Sequence, residues 1–294
     1  LTVTFDINMN DIYKNLGNQN FIPKFSELSK LDTNKYYFIP WMQATYIMVA
    51  NKKALKYLPK KADINNLTYD QFIEWGANIY KETGTQKIGF PAGKGGLFHR
   101  FLQGYLYPSY TNNMVKKFRT ADAVKMWEKL KELWYYVTPE SLTYSKMDAP
   151  LLSEKVWVAW DHSARIINVF KENSSDFISF PAPIGPKGRG YLLVLAGIGI
   201  PSGSNTDKST LDLIKYLTKE ETQLLTMNTV GFFPVIEIKS KVNKNLEPLY
   251  SAVMNQSKSN KSIVSITPGN LGEKSGDFNN IYLRAFSQIV LRDK

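Results

Sequence analysis

The residues best suited to chemistry in this chain cluster where an apolar run ends. Val156-Trp157-Val158-Ala159-Trp160 leads into Asp161, His162 and, after Ser163-Ala164, Arg165. A strand that delivers an acid, an imidazole and a guanidinium to a strand-to-helix turn presents them where ligands bind in open α/β sheets. Trp160 and His162 read as ligand-contacting. Trp157 reads as core, and Asp161 fits equally a ligand contact or a cap of the next helix. The other histidine, His99, follows a glycine-rich turn, Gly93-Lys94-Gly95-Gly96, in a context that could bind an anion at a helix N-terminus but without the spacing of a nucleotide motif.

Two further constellations suit recognition more than catalysis. Trp41 and Gln43 follow Tyr36–Pro40, where an indole could stack on a sugar ring and an amide could both donate to and accept from hydroxyls. Gly231-Phe232-Phe233-Pro234 ends a helical stretch with aromatic residues, Phe232 first, which serve either a ligand or the helix cap itself.

Catalytic signatures are missing. With two histidines and no cysteine, the sequence offers no thiolate chemistry and no clustered imidazoles for a metal, and nothing calls for a cofactor. It has no Gly-x-Ser-x-Gly elbow, no His-Glu-x-x-His helix and no phosphate-binding loop. The alternative from another class is an extracellular carbohydrate-active enzyme resembling a glycoside hydrolase. That chemistry needs two carboxylates about 5–9.5 Å apart, and Asp161 lacks a partner at a comparable strand end.

Helical and strand-like patterns alternate along the chain. Short buried strands are expected at Tyr36–Pro40, Thr45–Ala50, Ile88–Pro91, Lys155–Trp160, Phe177–Phe180 and Leu192–Ile200. Thr68-x-x-Gln71 is a capping box opening a helix that carries Phe72, Trp75 and Ile79 on one face before Gly84 stops it. Thr120 opens another, and further helices are expected at Ser163–Lys171, Asp207–Thr229, Leu246–Asn255 and Asp277–Leu291. Such alternation predicts α/β lobes with largely parallel sheets.

The 294 residues suit two lobes rather than one. The charge of +11 admits an anionic partner. The basic residues are dispersed, though, and the nearest cluster, Lys52 to Lys61, reads as a solvated face, so a nucleic-acid partner is not expected. The longest apolar stretch, Tyr191 to Pro201, is 11 residues and contains glycines. A spanning helix needs about 20.

At these motifs the sequence resembles the extracellular solute-binding proteins of ATP-binding-cassette sugar importers, the group that includes maltose-type binding proteins. The shared order is Tyr36–Pro40 with its Ile-Pro, Tyr46–Ala50 ending in Asn51-Lys52, the helix over Leu67–Tyr80, and the strand into Asp161. The Phe180–Pro186 turn, the glycine-rich Gly197–Pro201 and Gly231–Pro234 then follow.

The resemblance implies a periplasmic-binding-protein-like α/β fold of type II with a hinge between two lobes. One lobe would comprise 1–43 and 191–266 and the other 44–190 and 267–294, with crossings near Pro40–Gln43, Leu192–Ala196 and Ser265–Pro268. Only 35 residues precede Tyr36, so the first lobe is expected to lack its usual N-terminal part, including any signal peptide or anchor. The implied function is capture of a sugar or oligosaccharide in an interlobe cleft, without chemistry, by a monomer. The sugar would pass to the membrane permease, and the protein would be extracellular or periplasmic, anchored through the missing segment.

Overall fold

The computed structural model describes residues 9–17, 19–201, 203–204, 207–266 and 272–292. Among these residues nine strands follow in chain order, β1 (Ile39–Ala44), β2 (Tyr46–Asn51), β3 (Ile88–Gly89), β4 (Val158–His162), β5 (Phe177–Phe180), β6 (Arg189–Leu192), β7 (Val194–Ile198), β8 (Phe233–Pro234) and β9 (Ser262–Ser265). The chain divides into two compact units, Leu1–Ala44 with Val194–Asn243 and Thr45–Leu193 with Lys244–Lys294. It therefore passes between them at residues 44–45, 193–194 and 243–244.

The first unit is built on an antiparallel sheet in the order β7-β1-β8. Pro40 has no N–H to give the ladder, and the register of β1 against β7 shifts between Pro40 and Met42, which places Trp41 at the irregularity. Gly197 of β7 lies so close to Phe38 that a Cβ there would sit 2.3 Å from the ring. A small core of Met9, Ile12, Leu16, Ile39, Ile200 and Ile214 is flanked by Tyr13 stacked on Tyr36 at 4.0 Å. The helical stretch after Asp207 is two helices, Lys208–Thr218 and Glu220–Val230. The second ends where Gly231, at φ 73°, turns left-handed and returns its N–H to Met227.

In the second unit a four-stranded sheet runs β3-β4-β2-β5. Every residue of β2 is buried, because helices cover both faces of the sheet. The helix Tyr69–Thr83 opens with the reciprocal Thr68–Gln71 box and closes at Gly84. It packs Phe72, Trp75 and Ile79 into the core, where the Trp75 indole donates to the Ala54 carbonyl at 2.8 Å.

Two expectations are corrected. Among the nine strands parallel pairing is confined to β3–β4 and β6–β9, with two isolated parallel bridges besides, Thr68–Ile184 and Ile88–Val137. β4 and β5 are joined by the helix Ser163–Asn173 but do not touch. β2 fills the gap between them and runs antiparallel to both. The apolar run after Tyr191 is not one strand, because β6 pairs with β9 whereas β7 pairs with β1.

Residues 244–266, expected with the first lobe, cluster with the second unit. There Gln256 of the helix Glu247–Lys258 accepts from the Ala182 N–H and donates to the Tyr46 carbonyl. Pro268 lies outside the described residues.

Candidate ligand-binding site

The second unit assembles most of the expected polar residues at the end of β4. Asp161, fully buried, is anchored by two backbone N–H groups. Its Oδ2 accepts from Met147 at 2.9 Å and its Oδ1 from His162 at 2.7 Å. Burial raises its carboxyl from 3.8 to about 7, opposed by those two hydrogen bonds and by Arg165. Asp161 thus does not cap the following helix. His162 does, its Nδ1 accepting from the Ala164 N–H at 3.2 Å.

An imidazole that accepts at Nδ1 carries its proton on Nε2 and is neutral. Burial, with Arg165 nearby, lowers His162 to about 4, in keeping with that state. His99 is lowered to about 4 by burial, with Arg100 and Arg165 adding to it. Arg165 joins separate loops, its Nη1 donating to the carbonyls of Ser145 at 2.8 Å and Gly95 at 3.3 Å.

The glycine-rich turn is packed rather than open. A Cβ on Gly93 would lie 2.4 Å from the Thr143 carbonyl carbon, and one on Gly96 2.0 Å from the Pro91 oxygen. Two of its four amides are engaged, Gly93 donating to the Tyr144 carbonyl and Gly96 to that of Gly93. Packed in this way, the turn sets the Gly95 carbonyl against Arg165.

Trp160 lies in the core. Its indole stacks on Tyr46 at 4.7 Å with the planes 6° apart, and Phe101 and Tyr105 meet it edge-on at 5.2 and 5.4 Å. The ring is therefore enclosed by protein. Tyr46 was not singled out from the sequence, yet it joins this core to the site, because its other neighbour, 4.9 Å away and perpendicular, is the His162 ring.

The remaining expected residues belong to the first unit. Gln43 is buried, with its Nε2 donating to the Pro234 carbonyl at 3.0 Å, and so ties β1 to β8. Trp41 and Phe232 are half-buried, and the pairing of Gln43 with Phe233 brings their strands side by side. The structure thus forms two groupings, Trp41, Gln43 and Phe232 in one unit and His99, Trp160, Asp161, His162 and Arg165 in the other. Among the described residues no three His, Asp or Glu side chains converge as a metal site, and no helix is long and apolar enough to cross a membrane.

A mixed α/β fold whose chain passes three times between two units, with neutral hydrogen-bonding groups at a strand end, is that of a periplasmic-type solute-binding protein. The family model for bacterial extracellular solute-binding proteins matches residues 2–238, and the chain belongs to that family. It is a binding protein and not an enzyme, and an extracellular or periplasmic location goes with the family.

No curated protein matches the sequence. Solved structures with the same fold include maltose-bound T. maritima MalE3, at 17% identity and TM-score 0.73 over 97% of this chain and 76% of that one. The bacterial solute receptor AcbH, with its exclusive preference for β-D-galactopyranose, aligns at 14% identity and TM-score 0.73 over 99% and 75%. UgpB from Mycobacterium tuberculosis, in complex with glycerophosphocholine, aligns at 14% and 0.68 over 99% and 74%.

Proposed function

We propose that this chain captures a sugar or short oligosaccharide for an ATP-binding-cassette importer and hands it to the membrane permease. The observation that carries the reading is the pair of pre-oriented donors at the end of β4, the neutral imidazole of His162 and the guanidinium of Arg165, with the buried neutral ring of His99 nearby, in a chain of the solute-binding family. The Nε2–H of His162 faces no competing protonation near neutral pH, so it serves as a donor to a hydroxyl or ring oxygen. Arg165 adds a charged donor of fixed position. Trp41 and Phe232, half-buried, offer ring surface to a sugar face. Asp161, Gln43 and Trp160 do not touch ligand in this reading and instead position what does. Several structural neighbours, including MalE3 and AcbH, are described with sugars, which supports the class of ligand.

A thermal-shift screen of mono- and oligosaccharides tests the reading, with amino acids and glycerophosphodiesters alongside because UgpB binds one of the latter. A binding sugar at a hundredfold excess over Kd stabilises by about 2.7 kcal/mol and is recovered unaltered. Stabilisation by amino acids or glycerophosphodiesters alone would overturn the choice of sugar.

A further inference from the structure

The formal charge of +11 is not shared between the two units. The first carries nine Lys and Arg against nine Asp and Glu, while the second carries 28 against 17, so the whole surplus resides in the second. Within that unit the loop between the helices Tyr107–Thr111 and Ala121–Trp134 contains five consecutive exposed residues, Val115-Lys116-Lys117-Phe118-Arg119. Two of them are large and apolar, Val115 at 43% and Phe118 at 45% exposure. The three cations take part in none of the ion pairs among the described residues.

The loop is not loose. Asn113 Oδ1 accepts from the N–H groups of Val115 and Lys116 at 2.9 Å each. Tyr107 donates to the Lys116 carbonyl at 2.7 Å and Tyr282 to the Met114 carbonyl at 2.6 Å. Lys117, held at φ 68°, returns its ammonium to the Thr111 carbonyl. Phe118 leans on Tyr107 and Tyr282 at 5.1 and 5.8 Å yet leaves nearly half its surface in solvent. A left-handed lysine and four side-chain clamps, its own ammonium among them, thus hold apolar groups out among cations that have no acidic partner.

We propose that this loop is a peripheral docking surface for an anionic lipid bilayer, with Lys116, Lys117 and Arg119 against the headgroups and Val115 and Phe118 in the interface. Cations alone would suit any polyanion. Exposed apolar side chains set among them find their match where an acidic surface overlies hydrocarbon. The contact goes beyond ligand capture and does not depend on it, since it is measured without ligand.

Co-sedimentation with phosphatidylcholine vesicles, with and without phosphatidylglycerol, tests it. The chain should bind the anionic vesicles and release with rising salt. The triple variant K116Q/K117Q/R119Q should bind on the order of a hundredfold more weakly, at roughly fivefold per cation. Val115→Ser and Phe118→Ser should each lose binding several-fold. Because Phe118 also packs on two tyrosines, the Val115 variant decides if the Phe118 variant melts early. The control triple K56Q/K60Q/K61Q removes the same charge elsewhere in the unit and should change little. Equal losses in the two triples would overturn the proposal, as would binding of soluble polyglutamate as tight as that of anionic vesicles, which would point to an acidic protein instead.

Discussion

Replacing Asp161 by asparagine should make the stability of this protein respond differently to pH. In the folded chain the carboxyl is fully buried and raised from 3.8 to about 7. A carboxyl with a raised folded value holds its proton in the native state across a range where the unfolded chain has lost it. Stability from this group is therefore complete below about pH 4 and declines as pH rises toward 7. The difference between 3.8 and about 7 corresponds to a decline of about 4 kcal/mol. The amide of the Asp161→Asn variant cannot ionise, which abolishes that decline. It also keeps only one acceptor for the two N–H groups of Met147 and His162, so its NH2 would face one of them at a cost of about 1–3 kcal/mol. At pH 4 the variant should thus be the less stable protein. By pH 8 the gap should have closed or reversed. Urea unfolding at intervals between these limits, with both proteins in the same buffers, measures the gap directly. A gap that stays constant with pH would show that Asp161 ionises in the native state as freely as in the unfolded chain, and the burial argument would fail.

Trp160→Ala removes a ring enclosed by Tyr46, Phe101 and Tyr105, and should cost about 3–5 kcal/mol in chemical unfolding. Trp41→Ala, at a half-buried position, should instead leave the unfolding midpoint within about 1 kcal/mol and weaken sugar binding in calorimetry at least tenfold. Gly96→Ala drives a methyl onto the Pro91 carbonyl, so it should destabilise by about 1–3 kcal/mol and lower affinity through the displaced Gly95–Arg165 contact. Sugar affinity should stay flat between pH 5 and 6, where His99 and His162, both near 4, are neutral and Asp161, near 7, still holds its proton; in the Asp161→Asn variant it should stay flat to pH 8, and a change centred near 6.5 in that variant would show that a histidine titrates freely.

The parts of this fold legible in the sequence are those fixed locally. The Thr68–Gln71 box and the Gly84 and Gly231 caps are settled within four or five residues, and each stands as expected. The end of β4 was legible because an apolar run stops abruptly at Asp161 and His162. The facing of Trp160 was not. β2 and β4 are covered on both sides, so alternation carries no information about which side chain meets ligand and which meets core. Tyr46 went unread for the same reason, because only the register that sets it opposite His162 shows its part in the site. The break at Leu193 and the placement of residues 244–266 depend on pairing partners distant in sequence.

Asp161 also accounts for the cost of the arrangement. A buried carboxyl displaced to about 7 destabilises the native state at neutral pH, and packing alone would favour an apolar residue there. What Asp161 supplies is position. Its two oxygens hold the backbone of Met147 and of His162 at once, and the residues they fix, directly or through Ser145 and Arg165, are the ones that present donors in the proposed site. With the backbone so held, His162 turns Nδ1 inward to cap its own helix and leaves Nε2–H as its donor. Binding then orders little that was free, and hydrogen bonds to a sugar register as affinity instead of being spent on immobilising the site. A stability sacrifice at the strand end where the proposed site lies is what pre-organisation for binding predicts.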